Sequence, residues 1–164
     1  MKNSEKRNAL LQKAKVISVM DNALIYPANL MKTLNMSIAQ DTTKPVTSNL
    51  SDIKTYSVCV KETGVFIATL YAMDYAGKYY GNIVGMPEIV CFDKDAFCFE
   101  RAENVCYPVE EDYFLRCEFD GSMNLVAHEL VQVEDESETV FHEFGEGMPF
   151  FKALSDSWKM ICPA

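Results

Sequence analysis

Residues 65–72, Val65-Phe66-Ile67-Ala68-Thr69-Leu70-Tyr71-Ala72, form a nearly unbroken apolar run that is too short for a buried helix. Its β-branched and aromatic content predicts a strand, and a strand that is apolar on both sides must be covered on both faces. Any fold for this chain therefore places a layer above and a layer below it. The residues just before alternate. Tyr56, Val58 and Val60 interleave with Ser57, Cys59 and Lys61, and Glu62-Thr63-Gly64 makes the turn of a hairpin.

Period-two patterning continues through most of the chain. Asp74-Tyr75-Ala76-Gly77 reads as a turn before a strand over 78–84, which Gly85-Met86-Pro87 ends. Short strands are predicted at 88–93 and 96–100, joined at Asp93-Lys94-Asp95. Tyr113, Leu115, Cys117 and Phe119 alternate with Phe114, Arg116 and Glu118, and Asp120-Gly121 supplies a hairpin turn. The return strand covers 123–133, an acidic turn follows at 134–138, and a last short strand covers 139–144 before Gly145-Glu146-Gly147.

Helical spacing is confined to the two ends. Leu10, Ala14, Ile17 and Leu24 recur at helical intervals, flanked by Leu11 and Met20, with Lys6, Arg7, Lys13 and Lys15 around the remaining circumference. This predicts an amphipathic helix over 4–20 with an exposed basic face. Pro27 suits the first turn of a second helix carrying Leu30, Met31 and Leu34. Phe150, Phe151, Leu154, Trp158 and Ile161 predict a C-terminal helix that docks on the sheet. The expected fold is α+β: an N-terminal helix or helix pair, a mainly antiparallel sheet of about six to eight short strands, and a closing helix. Residues 1–36 form the helical segment, 37–53 a loop and 54–164 the sheet-rich body, all within one domain of 164 residues.

Composition narrows the function. Hydrophobic residues at 49 % and charged residues at 24 % exclude wholesale disorder. No apolar run approaches the roughly 20 residues of a membrane span. The basic N-terminal stretch is interrupted by Lys13 and Lys15, so a secretory signal is not expected and a cytoplasmic location is. The formal charge is −9, and residues 87–148 carry 17 acids against Lys94, Arg101 and Arg116. Such a field repels phosphate backbones, which argues against direct nucleic-acid binding, and attracts basic surfaces.

Catalytic and metal signatures are weak. Cys59, Cys91, Cys98, Cys106, Cys117 and Cys162 contain no C-x-x-C pair. His128-Glu129 and His142-Glu143 do not complete H-E-x-x-H. No metal, cofactor, phosphate-binding loop or nucleophile elbow is predicted. The alternative function is a cysteine-dependent hydrolase or transferase in which Cys98 or Cys117 meets His128 across the sheet. The plainer account makes these thiols small buried hydrophobes.

The leading expectation is a non-enzymatic binding protein that presents an acidic face to a basic partner, as an inhibitor or immunity protein. Glu110, Glu111 and Asp112, and Glu134, Asp135, Glu136 and Glu138, are read as flanking opposite ends of the hairpin, with Glu118, Asp120 and Glu129 between. Alternate strand residues lie about 6.6 Å apart, so rows of carboxylates can imitate a nucleic-acid backbone and occupy the cleft of a nuclease or other nucleic-acid-binding protein. Phe114, placed by the alternation on the polar side, is the expected aromatic anchor, helped by Tyr107 and Tyr113. A further alternative is a secretion-chaperone-like client binder, which requires a homodimer.

Overall fold

The computed structural model describes residues 3–20, 27–134 and 137–162. Among them the element order is α1 (Asn3–Gln12), β1 (Lys15–Val19), α2 (Pro27–Thr42), a 3-10 turn at Leu50–Asp52, β2 (Ile53–Cys59), β3 (Phe66–Tyr75), β4 (Lys78–Ile83), β5 (Glu88–Asp93), β6 (Cys98–Arg101), β7 (Val105–Glu110), β8 (Tyr113–Phe119), β9 (Leu125–Glu134), β10 (Ser137–Pro149) and α3 (Phe150–Ile161). The strands form two antiparallel sheets, one of six in the order β1-β5-β4-β3-β2-β6 and one of four in the order β10-β9-β8-β7.

The apolar run at 65–72 becomes β3, near the middle of the larger sheet and buried from Ile67 to Met73. Leu70 and Ala72 face a core shared with Leu10 of α1, Val90, Phe92 and Phe97. Tyr71 and Met73 face a second core. It takes in Leu30, Leu34 and Ile38 of α2, Leu115 and Cys117 of β8, and Phe150 of α3. The two sheets therefore share one core, and α1 covers the far side of the larger sheet. A direct polar link joins them where the Cys106 amide donates to Thr69 Oγ1 at 3.0 Å.

The α+β class stands, with three differences in detail. The helix expected over 4–20 ends at Gln12, and Lys15–Val19 pairs with β5. Val16, Ile17 and Val19 are β-branched, and an open sheet edge gives them ladder partners that a helix cannot. The loop expected over 37–53 begins later, because α2 runs on to Thr42. Ser37 donates to the Thr33 carbonyl at 2.8 Å and meets Ser18 Oγ at 2.7 Å, which satisfies its buried hydroxyl and lets Ile38 extend the Leu30–Leu34 stripe. The strand number exceeds the expected range, β1 and β7 being the additions. Leu24 lies outside the described residues. No described helix is long and apolar enough to cross a membrane.

α2 is pinned to the larger sheet by Asp41, which pairs with Lys15 and accepts from the Tyr80 hydroxyl at 2.8 Å. Hydrogen bonds from Lys15 and Tyr80 hold the Asp41 carboxyl below its ordinary value of 3.8. A depressed carboxylate contributes stability that is complete above the unfolded value and is lost as pH falls through the folded one. Asp41→Asn is therefore expected to lose less stability than wild type on acidification from about pH 5 to about pH 2. Urea midpoints measured across that window check this, and equal losses would count against it.

Candidate protein-binding face

The smaller sheet carries most of the acidic third of the chain. β8 and β9 are antiparallel, with Tyr113 opposite Gln132, and the Val133 amide donates to the Asp112 carbonyl at 2.7 Å. The turn before β8 and the turn after β9 therefore lie at the same end. This corrects the expectation that the two acidic clusters flank opposite ends, since an antiparallel return strand finishes where its partner began. Glu110, Glu111, Asp112, Glu134 and Glu138 converge there. Asp135 and Glu136 lie outside the described residues.

These carboxylates divide by their partners. Glu111 accepts from Ser4 Oγ of α1 at 2.6 Å. Burial pulls the nearby Arg7 guanidinium down, and Glu111 pulls it back up. The N-terminal helix thus turns part of its basic surface onto the protein's own acidic body. Lys6 is buried and Arg7 half-buried, so the fully exposed basic face expected for this helix is not present. Among the described residues, Glu110 takes only a long contact from Cys162 Sγ, at 3.9 Å. Glu134 accepts from Gln132 Nε2 at 2.8 Å. Neither Asp112 nor Glu134 has an ion-pair partner among the described residues.

At the other end, Glu118 meets His128 Nε2 at 3.1 Å. Asp120 builds the β8–β9 turn, its Oδ1 accepting from the Ser122 and Asn124 amides at 2.8 and 3.0 Å. Both are spent on the sheet itself. Arg116 on β8 ties the middle together, reaching Glu129 on β9 through Nη1 and Glu138 on β10 through Nη2 at 2.6 Å. Replacing Arg116 by Met leaves the two glutamates unopposed. Charge-assisted bonds of this kind are worth about 2 kcal/mol, so a lower urea midpoint is expected. The β10 amides should then exchange with solvent faster than those of β8, and unchanged β10 exchange would argue against a clamp.

Among the described residues β10 is an edge strand, bonded only to β9, and nearly all of it is exposed. Its backbone groups on the free side are open to a further strand. Val140 and Phe141 are 45 % and 47 % exposed, and the Phe141 ring stands edge-on to Tyr113 at 5.3 Å. Glu143 and Glu146 continue the acidic surface along the same edge. This combination of unpaired backbone, apolar side chains and carboxylates was missed in the sequence. The alternation at 139–144 predicts a strand, but nothing local to it says which strand lies at an edge.

No family model, curated protein or solved structure matches this chain.

Phe114 requires a correction. It is 2 % exposed and packs edge-on against Phe66 at 5.4 Å. The alternation does place it on the outer side of β8, but the start of β3 closes over that side. It therefore cannot anchor a partner. Tyr107 stacks edge-on against Phe150 at 5.1 Å and is half-buried as well.

The thiols and histidines do not assemble. Cys117 faces the core, donates to the Leu115 carbonyl at 3.6 Å, and burial pushes its thiol up to about 12. Its cross-strand neighbour Ala127 is buried beside it, whereas His128 is exposed and held by Glu118. Cys98 belongs to the other sheet, opposite Cys59, with Sγ 3.7 Å from Glu100. A cavity of about 430 Å³ does open between the sheets, lined by Ser57, Phe66, Cys106, Phe114, Arg116 and Glu138. Burial pushes the Cys106 thiol up, so it offers no ready nucleophile. Among the described residues, no three His, Cys, Asp or Glu side chains are grouped to hold a metal ion. In the folded protein at neutral pH, Cys162 is expected to react first with a thiol reagent and Cys117 only on unfolding. Rapid labelling of Cys98 or Cys117 would restore the enzymatic alternative.

Proposed function

We propose that this chain is a non-enzymatic cytoplasmic binding protein. It seats a basic partner protein against the acidic end of its four-stranded sheet and along the β10 edge. The observation that carries the reading is the edge itself. β10 joins an open strand backbone and exposed Val140 and Phe141 to Glu138, Glu143 and Glu146, next to Glu110, Asp112 and Glu134. An apolar centre with a charged rim is the composition of a protein interface, and the acidic rim selects a basic counterpart. An inhibitor or immunity protein that fills the basic cleft of a nuclease or other nucleic-acid-handling protein is the concrete version.

The test is capture from a host lysate on immobilised protein, with elution by increasing salt. A basic protein held at low salt and released at high salt supports the reading. It should not be held by a variant with Glu134, Glu143 and Glu146 replaced by Lys. Capture that is indifferent to both salt and charge reversal sinks it.

A further inference from the structure

Of the six cysteines, two stand directly opposite each other across a strand pair: Cys59 at the end of β2 and Cys98 at the start of β6. None of the other four has a cysteine opposite it among the described residues. The Ala102 amide donates to the Thr55 carbonyl at 3.0 Å, which makes Thr55, Ser57 and Cys59 the residues whose backbone bonds turn to β6. α-Carbons in such a pair lie about 5.5 Å apart, within the range of about 4.4–6.8 Å that a disulfide spans. Side chains directly opposite share one face of the sheet. Cys59 and Cys98 share theirs with Ser57 and Glu100, which line the cavity between the sheets, and both are half-buried there.

The two thiols are not equivalent. Cys59 has a strand on each side, and burial pushes its thiol up, with Cys98 and Glu100 beside it adding to the rise. Cys98 lies on β6, the last strand of the sheet among the described residues, with its Sγ directed at Glu100 Oε1 3.7 Å away. It is the more approachable sulfur of the two. A bond between them asks the strands to close, because β-carbons opposed at a hydrogen-bonded pair lie about 5.5 Å apart and a disulfide brings them to about 3.8 Å. β6 has only four residues and one neighbouring strand to hold it, so it can yield. Strain of that kind makes a disulfide easier to reduce, which suits a reversible bond and not a permanent staple. In a reducing compartment, disulfides are mostly of this transient, redox-sensing kind.

We propose that Cys59 and Cys98 form a reversible disulfide when the folded chain meets a small-molecule disulfide such as oxidised glutathione. Cys98 attacks one sulfur of that disulfide, forming a protein–glutathione bond and releasing one glutathione. Cys59 then attacks the Cys98 sulfur and releases the second. Two protein thiols are oxidised, one glutathione disulfide is reduced, and the two thiol protons leave on the two glutathiones. The bond ties β6 to β2 beside Glu100 and Arg101 of the cavity wall. It draws on nothing in the β10 reading and stands or falls apart from it. The test equilibrates the folded full chain in glutathione buffers of rising oxidised-to-reduced ratio, followed by alkylation and peptide mass mapping. A Cys59–Cys98 link with loss of two hydrogens is expected at high ratio, disappearing again in excess reduced glutathione. Cys59→Ser should instead hold one glutathione on Cys98, and Cys162→Ala should leave the link unchanged. Amides of β6 should exchange at least about tenfold more slowly in the oxidised chain. Mapping of the wild-type chain carries the test even where Cys59→Ser does not fold. No link in the folded chain, or a link that forms only in urea, overturns the proposal. So does a link that survives excess reduced glutathione, or one that joins a different cysteine pair in preference.

Discussion

Gly81→Ala is expected to remove most of the protein's folding stability. Gly81 lies in β4, opposite Ala72 of β3 and Val90 of β5, so it has neighbours on both sides of the strand. A β-carbon there would sit 1.9 Å from the Tyr71 carbonyl oxygen and 2.8 Å from the Ala72 α-carbon. Both obstacles are backbone atoms of the most buried strand in the sheet. Side-chain overpacking typically costs about 1–3 kcal/mol because rotamers give way. Here the ladder itself must move, which places the change among the rare losses of about 4 kcal/mol or more. Against a total of about 5–15 kcal/mol, that leaves little folded protein at moderate urea. Gly121→Ala is the matched control, since nothing lies within 4 Å of its β-carbon position. A Gly81→Ala midpoint close to that of Gly121→Ala would mean that the β3–β4 pair is far more pliant than its register implies.

The parts of the fold that were legible in the sequence are those that one local pattern specifies. The run at 65–72 can only be a strand with cover on both faces, and β3 has that cover from α1 on one side and from α2 and the smaller sheet on the other. The closing helix was legible in position and only partly in rotation. Phe150, Ala153 and Ser157 are its buried residues, while Phe151 and Trp158 are 61 % and 42 % exposed. Of the expected stripe, Phe150, Leu154 and Ile161 do pack on the core, but Ala153 and Ser157 form the centre of the buried face and Phe151 and Trp158 fall outside it. Small residues let the helix approach the sheet, and the Ser157 hydroxyl donates to the Ala153 carbonyl at 2.7 Å, so its burial leaves no unpaired polar group.

Long-range pairing was not legible. Phe114 shows this limit, because its alternation is right and its cover comes from a residue 48 positions earlier in the chain. The gathering of the acidic clusters at one end is different, since it follows from the hairpin that Asp120-Gly121 already predicts, and the opposite-ends reading overlooked it. Lys6 reads as a solvent-facing charge, yet the fold leaves it only 9 % exposed and buries its ammonium as well as its stem.

Replacing Glu134, Glu143 and Glu146 by Lys is expected to slow association with the proposed basic partner about 10- to 100-fold at low salt, because steering by an acidic surface acts on encounter. All three side chains are exposed, and none touches Arg116 or α1, so the fold should persist. Phe141→Ala should behave differently. Its ring is the exposed aromatic on the β10 edge, and losing such an anchor commonly costs about 2 kcal/mol, which appears as faster dissociation. Salt separates the two mechanisms. Screening lengths fall from about 10 Å at 0.1 M to about 3 Å at 1 M, so association by wild type and the Lys variant should converge as salt rises, while the Phe141→Ala deficit should persist. If charge reversal leaves association unchanged at low salt, the acidic surface serves only to keep the protein dispersed, and the edge strand alone would have to account for recognition.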